Sequence, residues 1–168
     1  MINYRIGNGF DVHALVQGRD LILGGVKLDY DLGLQGHSDA DVLLHSIIDS
    51  FLSPANIGDI GQLFPDSDPA FKNISSLILL KEVYQKLAAN GFTVINTDSV
   101  VICDKPKIAQ YIPEMKKNIS KAMGGILLPD SIGIKGKTTE KLGFTGRGEG
   151  IAVYTVSLLY YDPSLCVN

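Results

Sequence analysis

Cysteine is scarce in this sequence, basic charge is not in excess, and long hydrophobic runs are missing. The two cysteines, Cys103 and Cys166, are too few and too unlike in context for a disulfide framework or a Cys-based zinc site, so both are expected to be free thiols. Lys and Arg number 15 against 18 Asp and Glu, a formal net charge of -3. With no global basic field to neutralise a phosphate backbone, nucleic acid is not an expected partner. Apolar runs such as Leu77–Leu80 fall far short of the roughly 18 residues that span a bilayer, so no membrane is expected either. No basic n-region and apolar h-region precede the first strand-like segment, and we expect a cytoplasmic protein. A mature plastid protein, its transit peptide removed, would read the same way.

What remains is the composition of a globular chain: 168 residues, 45% hydrophobic and 20% charged. That length is enough for one compact domain spanning 1–168 and short for two. The chain opens with strands, at Ile2 to His13 and at Leu21 to Leu28, where Gly24-Gly25 suggests a bulge. Ser38, followed by Asp-Ala-Asp and the apolar residues Val42, Leu43, Ile47, Ile48, Phe51 and Leu52, reads as the N-cap of a helix ending before Pro54. The segment from Ile57 to Pro69 is a Gly-, Pro- and Asp-rich loop long enough to be functional. A second helix carries Leu80, Val83, Tyr84 and Leu87 and stops at Asn90-Gly91; a strand runs from Phe92 to Cys103. A third helical stripe is formed by Ile108, Ile112, Met115, Ile119 and Met123, with Pro113 as a natural start. Ser131 to Lys137 and Gly150 to Tyr161 complete the set, the last apolar on both faces as if covered on both sides. The order β, β, α, α, β, α, β, β predicts an α/β fold: a two-layer sandwich with a mixed sheet and helices on one face.

The chemistry concentrates in a few places. Asp11 and His13 stand two residues apart, so on a strand both side chains leave the same face. By itself such a pair is as well explained by an ordinary hydrogen bond. His45 lies within the apolar run of the first helix, where a satisfied core histidine is the plainer explanation. Yet the chain has only 3 histidines, His13, His37 and His45. One Asp with two His supplies three N/O ligands and leaves a fourth tetrahedral position open, as in catalytic zinc sites. His37-Ser38 directly precedes the first helix, where unpaired N–H groups and the positive dipole end favour a phosphate. The loop offers Asp59, Ile60 and Gly61, then Phe64, Pro65, Asp66, Ser67 and Asp68, either an acidic turn or a substrate lid. Thr138, Thr139 and Glu140 follow a strand, and two hydroxyls with a carboxylate suit a phosphate and a hard cation such as magnesium. The glycine spacing there is neither a P-loop nor a dinucleotide fingerprint.

Taken in order, Gly9 to His13, Gly36 to Val42 with His45, Gly58 to Gly61 with Leu63 to Asp66, and Thr138 to Gly150 resemble the 2-C-methyl-D-erythritol 2,4-cyclodiphosphate synthase family from end to end. The resemblance implies a metal-dependent phosphorus-oxygen lyase of the non-mevalonate isoprenoid pathway. Its expected substrate is a small cytidine diphosphate compound, 4-diphosphocytidyl-2-C-methyl-D-erythritol 2-phosphate, cyclised with release of CMP. It implies Zn2+ on Asp11, His13 and His45, and Mg2+ or Mn2+ on Glu140. It makes His37 and Ser38 diphosphate contacts, with His37 and Thr138 acting on the reacting groups. The cytidine pocket maps onto Cys103, Asp104, Lys105, Pro106, Lys107, Ile108 and Ala109 with the strand end at Lys137 to Glu140; Phe144 and Arg147 belong to the same substrate-binding set. Family members often carry small residues in place of Asp104 and Lys105 and a hydroxyl in place of Lys137. A homotrimer with sites shared between neighbours is implied, and the doubly apolar last strand points the same way, since this chain's few helices cover one face only. Two rivals use the same three ligands: a phosphohydrolase acting through metal-bound water, and a metal-binding module without catalysis. A second cation site at Glu140 argues against the module.

Overall fold

Two glycines on the first strand set how the layers meet. The computed structural model describes residues 3–166; Ile2, expected to begin the first strand, lies outside them. Strand β1 runs Tyr4–Val16, and helix α1, Val42–Ala55, lies directly on it. A Cβ on Gly7 would stand 2.0 Å from the Ser50 carbonyl oxygen, and one on Gly9 would stand 2.0 Å from that of Ser46. Only hydrogen at these positions admits the helix backbone at this distance. Small hydroxyls line the seam: Ser46 Oγ donates to the Gly9 carbonyl at 3.1 Å and pairs with Thr155 Oγ1 at 2.9 Å, and Ser50 and Ser157 pair at 2.6 Å. Each buried polar atom thereby finds a partner.

The main sheet has five strands in the order β4-β1-β7-β5-β6, where β4 is Gly33–Leu34, β5 Asn90–Ile102, β6 Ile132–Lys137 and β7 Gly150–Cys166. Among the described residues only β5 and β6 pair in parallel, joined through α4, Ile112–Ala122, since parallel neighbours need a crossover. Together with α3, Ser76–Ala89, the helices cover one face of this mixed sheet. Pro113 sits in the first turn of α4, as its missing N–H allows. Two very short helices, α2 (Ile60–Leu63) and α5 (Gly143–Gly146), interrupt segments that carry no hydrophobic period. No helix among the described residues is long and apolar enough to cross a membrane.

Three local expectations need correction. Leu21 to Leu28 is not a bulged strand but a hairpin of β2 (Leu21–Leu23) and β3 (Val26–Leu28). Gly24 and Gly25 have φ of 58° and 69°, the left-handed pair that a tight two-residue turn demands. Helix α1 starts at Val42, capped by Asp41 rather than Ser38, and runs through Pro54 to a left-handed Asn56. Pro54 falls in the last turn, where the ring shortens the ladder without breaking the body of the helix. Finally, β7 is apolar on both faces but covered on one only. Toward the helices it presents Thr155 and Ser157, both buried, between Val153 and Leu159; its other face, with Tyr154 and Val156, is exposed.

Asp41 ties the hairpin to α1. Its fully buried carboxylate accepts the N–H groups of Gly24 at 3.0 Å, Gly25 at 2.7 Å and Leu44 at 3.1 Å. Burial, assisted by Asp39, pushes its pKa up to about 6 against the opposing pull of those three donors. A folded-state value above the unfolded one means that the native state holds the proton longer. This group's contribution is therefore present at low pH and is lost as pH rises through about 6. Replacing Asp41 with Ala removes the cap and leaves three N–H groups without a partner, and we expect a loss of about 3–5 kcal/mol in denaturant unfolding. A loss under 1 kcal/mol would show that water satisfies the hairpin instead.

Candidate metal centre and substrate cleft

Asp11 and His13 leave β1 on the helix side, two residues apart, and α1 brings His45 down onto them because Gly9 admits the helix so closely. Asp11 Oδ2 lies 3.0 Å from His13 Nε2 and 3.1 Å from His45 Nδ1; the two ring nitrogens are 3.2 Å apart. Ligands held tetrahedrally at about 2.0–2.1 Å from zinc are separated by roughly 3.3 Å, so this triangle is close to one face of such a polyhedron. The donor set of two imidazoles and one carboxylate suits a borderline ion; all-oxygen sets suit calcium or magnesium.

Surrounding groups fix each ring. His13 Nδ1 donates to the Gln35 carbonyl at 2.6 Å, leaving the Nε2 lone pair for the centre. His45 Nε2 faces Ser76 Oγ at 3.0 Å and Ser38 Oγ at 3.2 Å, and Ser76 Oγ in turn donates to Asp39. Such outer partners orient ligating histidines. Burial opposes ionisation of Asp11, but the hydrogen bonds and charges of His13 and His45 outweigh it and hold the carboxylate well below its usual range. For His13, burial pulls the pKa down and the Asp11 hydrogen bond and charge raise it above its usual value. A proton shared in this triangle is what a divalent cation displaces.

The triad opens into a cleft of about 390 Å³, lined also by His37, Ser38, Ile60, Phe64, Asp66 and Phe71. His37 Nε2 is buried without a hydrogen-bond partner among the described residues, a polar atom left for whatever fills the cleft. Ser38 is no helix cap here. Helix α1 begins beyond it, and Asp41 places a carboxylate at the helix N-terminus, where a phosphate was expected to meet the dipole.

Residues 4–160 match the YgbB family, and a relative from Azoarcus sp., a 2-C-methyl-D-erythritol 2,4-cyclodiphosphate synthase, is 54% identical over 156 residues, covering 93% of this chain and 95% of its own. The chain belongs to this family. A synthase of the same name from Synechococcus elongatus is 51% identical over 162 residues, 96% of this chain and all of that protein. Among solved structures, IspF of Plasmodium falciparum in complex with CDP superposes with a TM-score of 0.82 at 33% identity, covering 96% of this chain and 99% of that one. The bifunctional IspDF of Campylobacter jejuni gives a TM-score of 0.91 at 44% identity; the match covers 96% of this chain and 43% of that longer protein.

In this YgbB-family chain the remaining candidates lie apart from the triad. Cys103, Pro106, Lys107, Ile108, Ala109, Lys137 and Thr138 line a second, smaller depression of about 150 Å³. Burial pushes the Cys103 thiol up to about 11, so it is a packed group and not a nucleophile. Asp104 keeps a buried Oδ1 without a partner among the described residues, and Lys105 is exposed. Val12, Ala152, Ile102 and Lys137 form one row across β1, β7, β5 and β6, so His13 and Thr138, each one residue further on, are three strand spacings apart. At about 4.8 Å each that is roughly 14 Å, beyond the reach of one shared phosphate. Thr138 Oγ1 donates to Glu140 at 2.7 Å, and Thr139 is bonded to Leu142 and Thr145. Arg147 forms an exposed pair with Glu149, and Phe144 is partly exposed; neither lines either hollow. Gly61 and Pro65 line the first cleft, whereas Asp59 and Asp68 cap their own short turns and Ser67 is exposed. Sequence reasoning overlooked Ser76 and Asp39, which hold His45, and Arg19, whose guanidinium reaches the Gly36 and Ser38 carbonyls. Nothing in local pattern marks such partners, because they meet only through the tertiary fold.

Proposed function

We propose that this chain converts 4-diphosphocytidyl-2-C-methyl-D-erythritol 2-phosphate into 2-C-methyl-D-erythritol 2,4-cyclodiphosphate and CMP, as a cytoplasmic phosphorus-oxygen lyase of the non-mevalonate pathway built as one domain over 1–168. The observation that carries this reading is the convergence of Asp11, His13 and His45 at the mouth of a cleft that also contains the unpartnered His37, in a chain alike from end to end to synthases of that name. An oxygen of the substrate's own 2-phosphate attacks the β-phosphorus, and the bond to the CMP oxygen breaks. No water enters and no protein nucleophile is needed.

The chain's part is positioning and charge neutralisation, the terms that dominate phosphoryl transfer. His37 and Ser38 receive the diphosphate, Ile60, Phe64 and Phe71 exclude water, and Thr138 steadies the transferring group. Asp11, His13 and His45 would hold Zn2+, which would supply Lewis acidity. Glu140 would hold Mg2+ or Mn2+, which would offset negative charge. The cytidine end occupies the depression at Cys103 to Ala109 with Lys137.

Because Thr138 and that depression stand roughly 14 Å from His13 across the sheet, we place the working site between neighbouring chains of a homotrimer. The sheet face away from the helices supports this arrangement. On it Ile6 is 76% exposed, Phe10 58%, Val12 43% and Tyr154 41%, a contiguous apolar surface of the kind that marks an interface.

Incubating the purified protein with this substrate and Mg2+ should yield CMP and the cyclic diphosphate in equal amounts. An acyclic product carrying an added water would overturn the reading in favour of a phosphohydrolase. A second prediction isolates the Glu140 cation. Glu140→Gln should retain the metal at the triad and lower turnover about 10²-fold at limiting Mg2+, because it removes charge from the second site only. Wild-type turnover at limiting Mg2+ would remove Glu140 from the mechanism.

A further inference from the structure

We infer that Arg19 is the positioning residue for His37. His37 belongs to no helix or strand; it lies between β4, ending at Leu34, and α1, beginning at Val42. Its backbone is held from outside. The Gly36 carbonyl accepts from Arg19 Nη1 at 3.0 Å, the His37 carbonyl from the Asn73 N–H at 2.9 Å, and the Ser38 carbonyl from Arg19 Nη2 at 2.7 Å. One planar guanidinium therefore grips the peptide on both sides of His37. The ring itself contributes no anchor on one side, since Nε2 is buried with no partner among the described residues. Where that nitrogen points in the cleft depends on the backbone, and the backbone depends on Arg19.

The grip is rigid at both ends. Charge-assisted bonds are shorter and stronger than neutral ones, and the two Nη groups of a guanidinium have a fixed separation that no flexible ammonium reproduces. Arg19 is itself fixed: a Cβ on Gly33 would stand 2.4 Å from the Arg19 carbonyl oxygen and 2.4 Å from that of Asp20, so this turn is packed against β4 backbone to backbone. No carboxylate among the described residues lies within ion-pair distance of the guanidinium, so nothing competes with the two carbonyls for it. The effect on catalysis rests on the reading above, in which His37 meets the substrate. A shift of about 1 Å in a positioned group costs on the order of 10²-fold in rate.

With only 3 histidines in the chain, imidazole signals of ¹⁵N-histidine-labelled protein resolve each ring. Arg19→Gln should displace or broaden the His37 signals while those of His45, on α1, stay in place, and kcat/KM should fall about 10²-fold. Arg19→Lys, which keeps the charge without the fork, should recover only part of both. If Arg19→Gln does not fold, Arg19→Lys against wild type decides the matter by the same two measurements. Unmoved His37 signals overturn the inference whatever the activity does. Displaced His37 signals with unchanged kcat/KM would leave the positioning intact and instead remove His37 from the substrate's contacts.

Discussion

Replacing His45 with Ala is expected to strip the bound metal and to lower cyclisation at least 10³-fold. Three ligand atoms lie within about 3.2 Å of one another here, and that convergence makes the site. Removing His45 leaves Asp11 and His13, two donors from a single strand, which do not define a tetrahedral centre, so the ion exchanges into solvent. The fold should survive. His45 is only partly buried and its ring bonds Ser38 and Ser76, both of which retain another partner, Ala40 N–H or Asp39. Elemental analysis of the purified variant is the decisive measurement. Full metal content in the Ala variant would show that the ion sits elsewhere, and a folded, metal-free protein with wild-type turnover would show that the reaction does not need it.

The convergence of Asp11, His13 and His45 was legible in the sequence because each half obeys a short-range rule. Asp11 and His13 share a face through the strand period, and His45 sits on a helix that the flanking apolar residues announce. Gly7 and Gly9 stand in the sequence of β1 with nothing local to mark their purpose, which depends on the Ser50 and Ser46 carbonyls that approach them. The start of α1 was misplaced for a similar reason. Ser38 and Asp41 are both good N-caps, and the choice falls to Asp41 because the distant Gly24 and Gly25 N–H groups converge on the same carboxylate. The period-2 pattern of β7 shows two apolar faces but not which of them is covered, nor why two hydroxyls stand among the buried residues. The fold turns Thr155 and Ser157 inward to meet Ser46, Ser99, Thr97 and Ser50, where close helix packing requires small side chains. Tertiary context overrode local pattern at each of these points, and in each case the overriding contact comes from far along the chain.

That seam leaves the other face of the sheet without a cover, and the largest prediction concerns what covers it. If the triad of one chain works with the Cys103 to Ala109 depression of the next, two inactive proteins can repair each other. A His45→Ala chain keeps Lys107 and the nucleotide depression but lacks the metal centre; a Lys107→Ala chain keeps the triad but lacks a charged wall of that depression. Each homotrimer is expected to be nearly inactive. After mixing in equal amounts with subunit exchange, a site is whole only where a Lys107 variant supplies the triad and a His45 variant supplies the depression. In a ring of three drawn at random this occurs at about one interface in four, so activity should rise from near zero to roughly a quarter of wild type. A site built within one chain allows no such recovery, because every chain carries a lesion. The roughly 14 Å between His13 and Thr138 across β1, β7, β5 and β6 already disfavours that arrangement. Subunit exchange demonstrated by native mass spectrometry with no gain in activity would return the whole site to a single chain, as would a sedimenting monomer with full turnover.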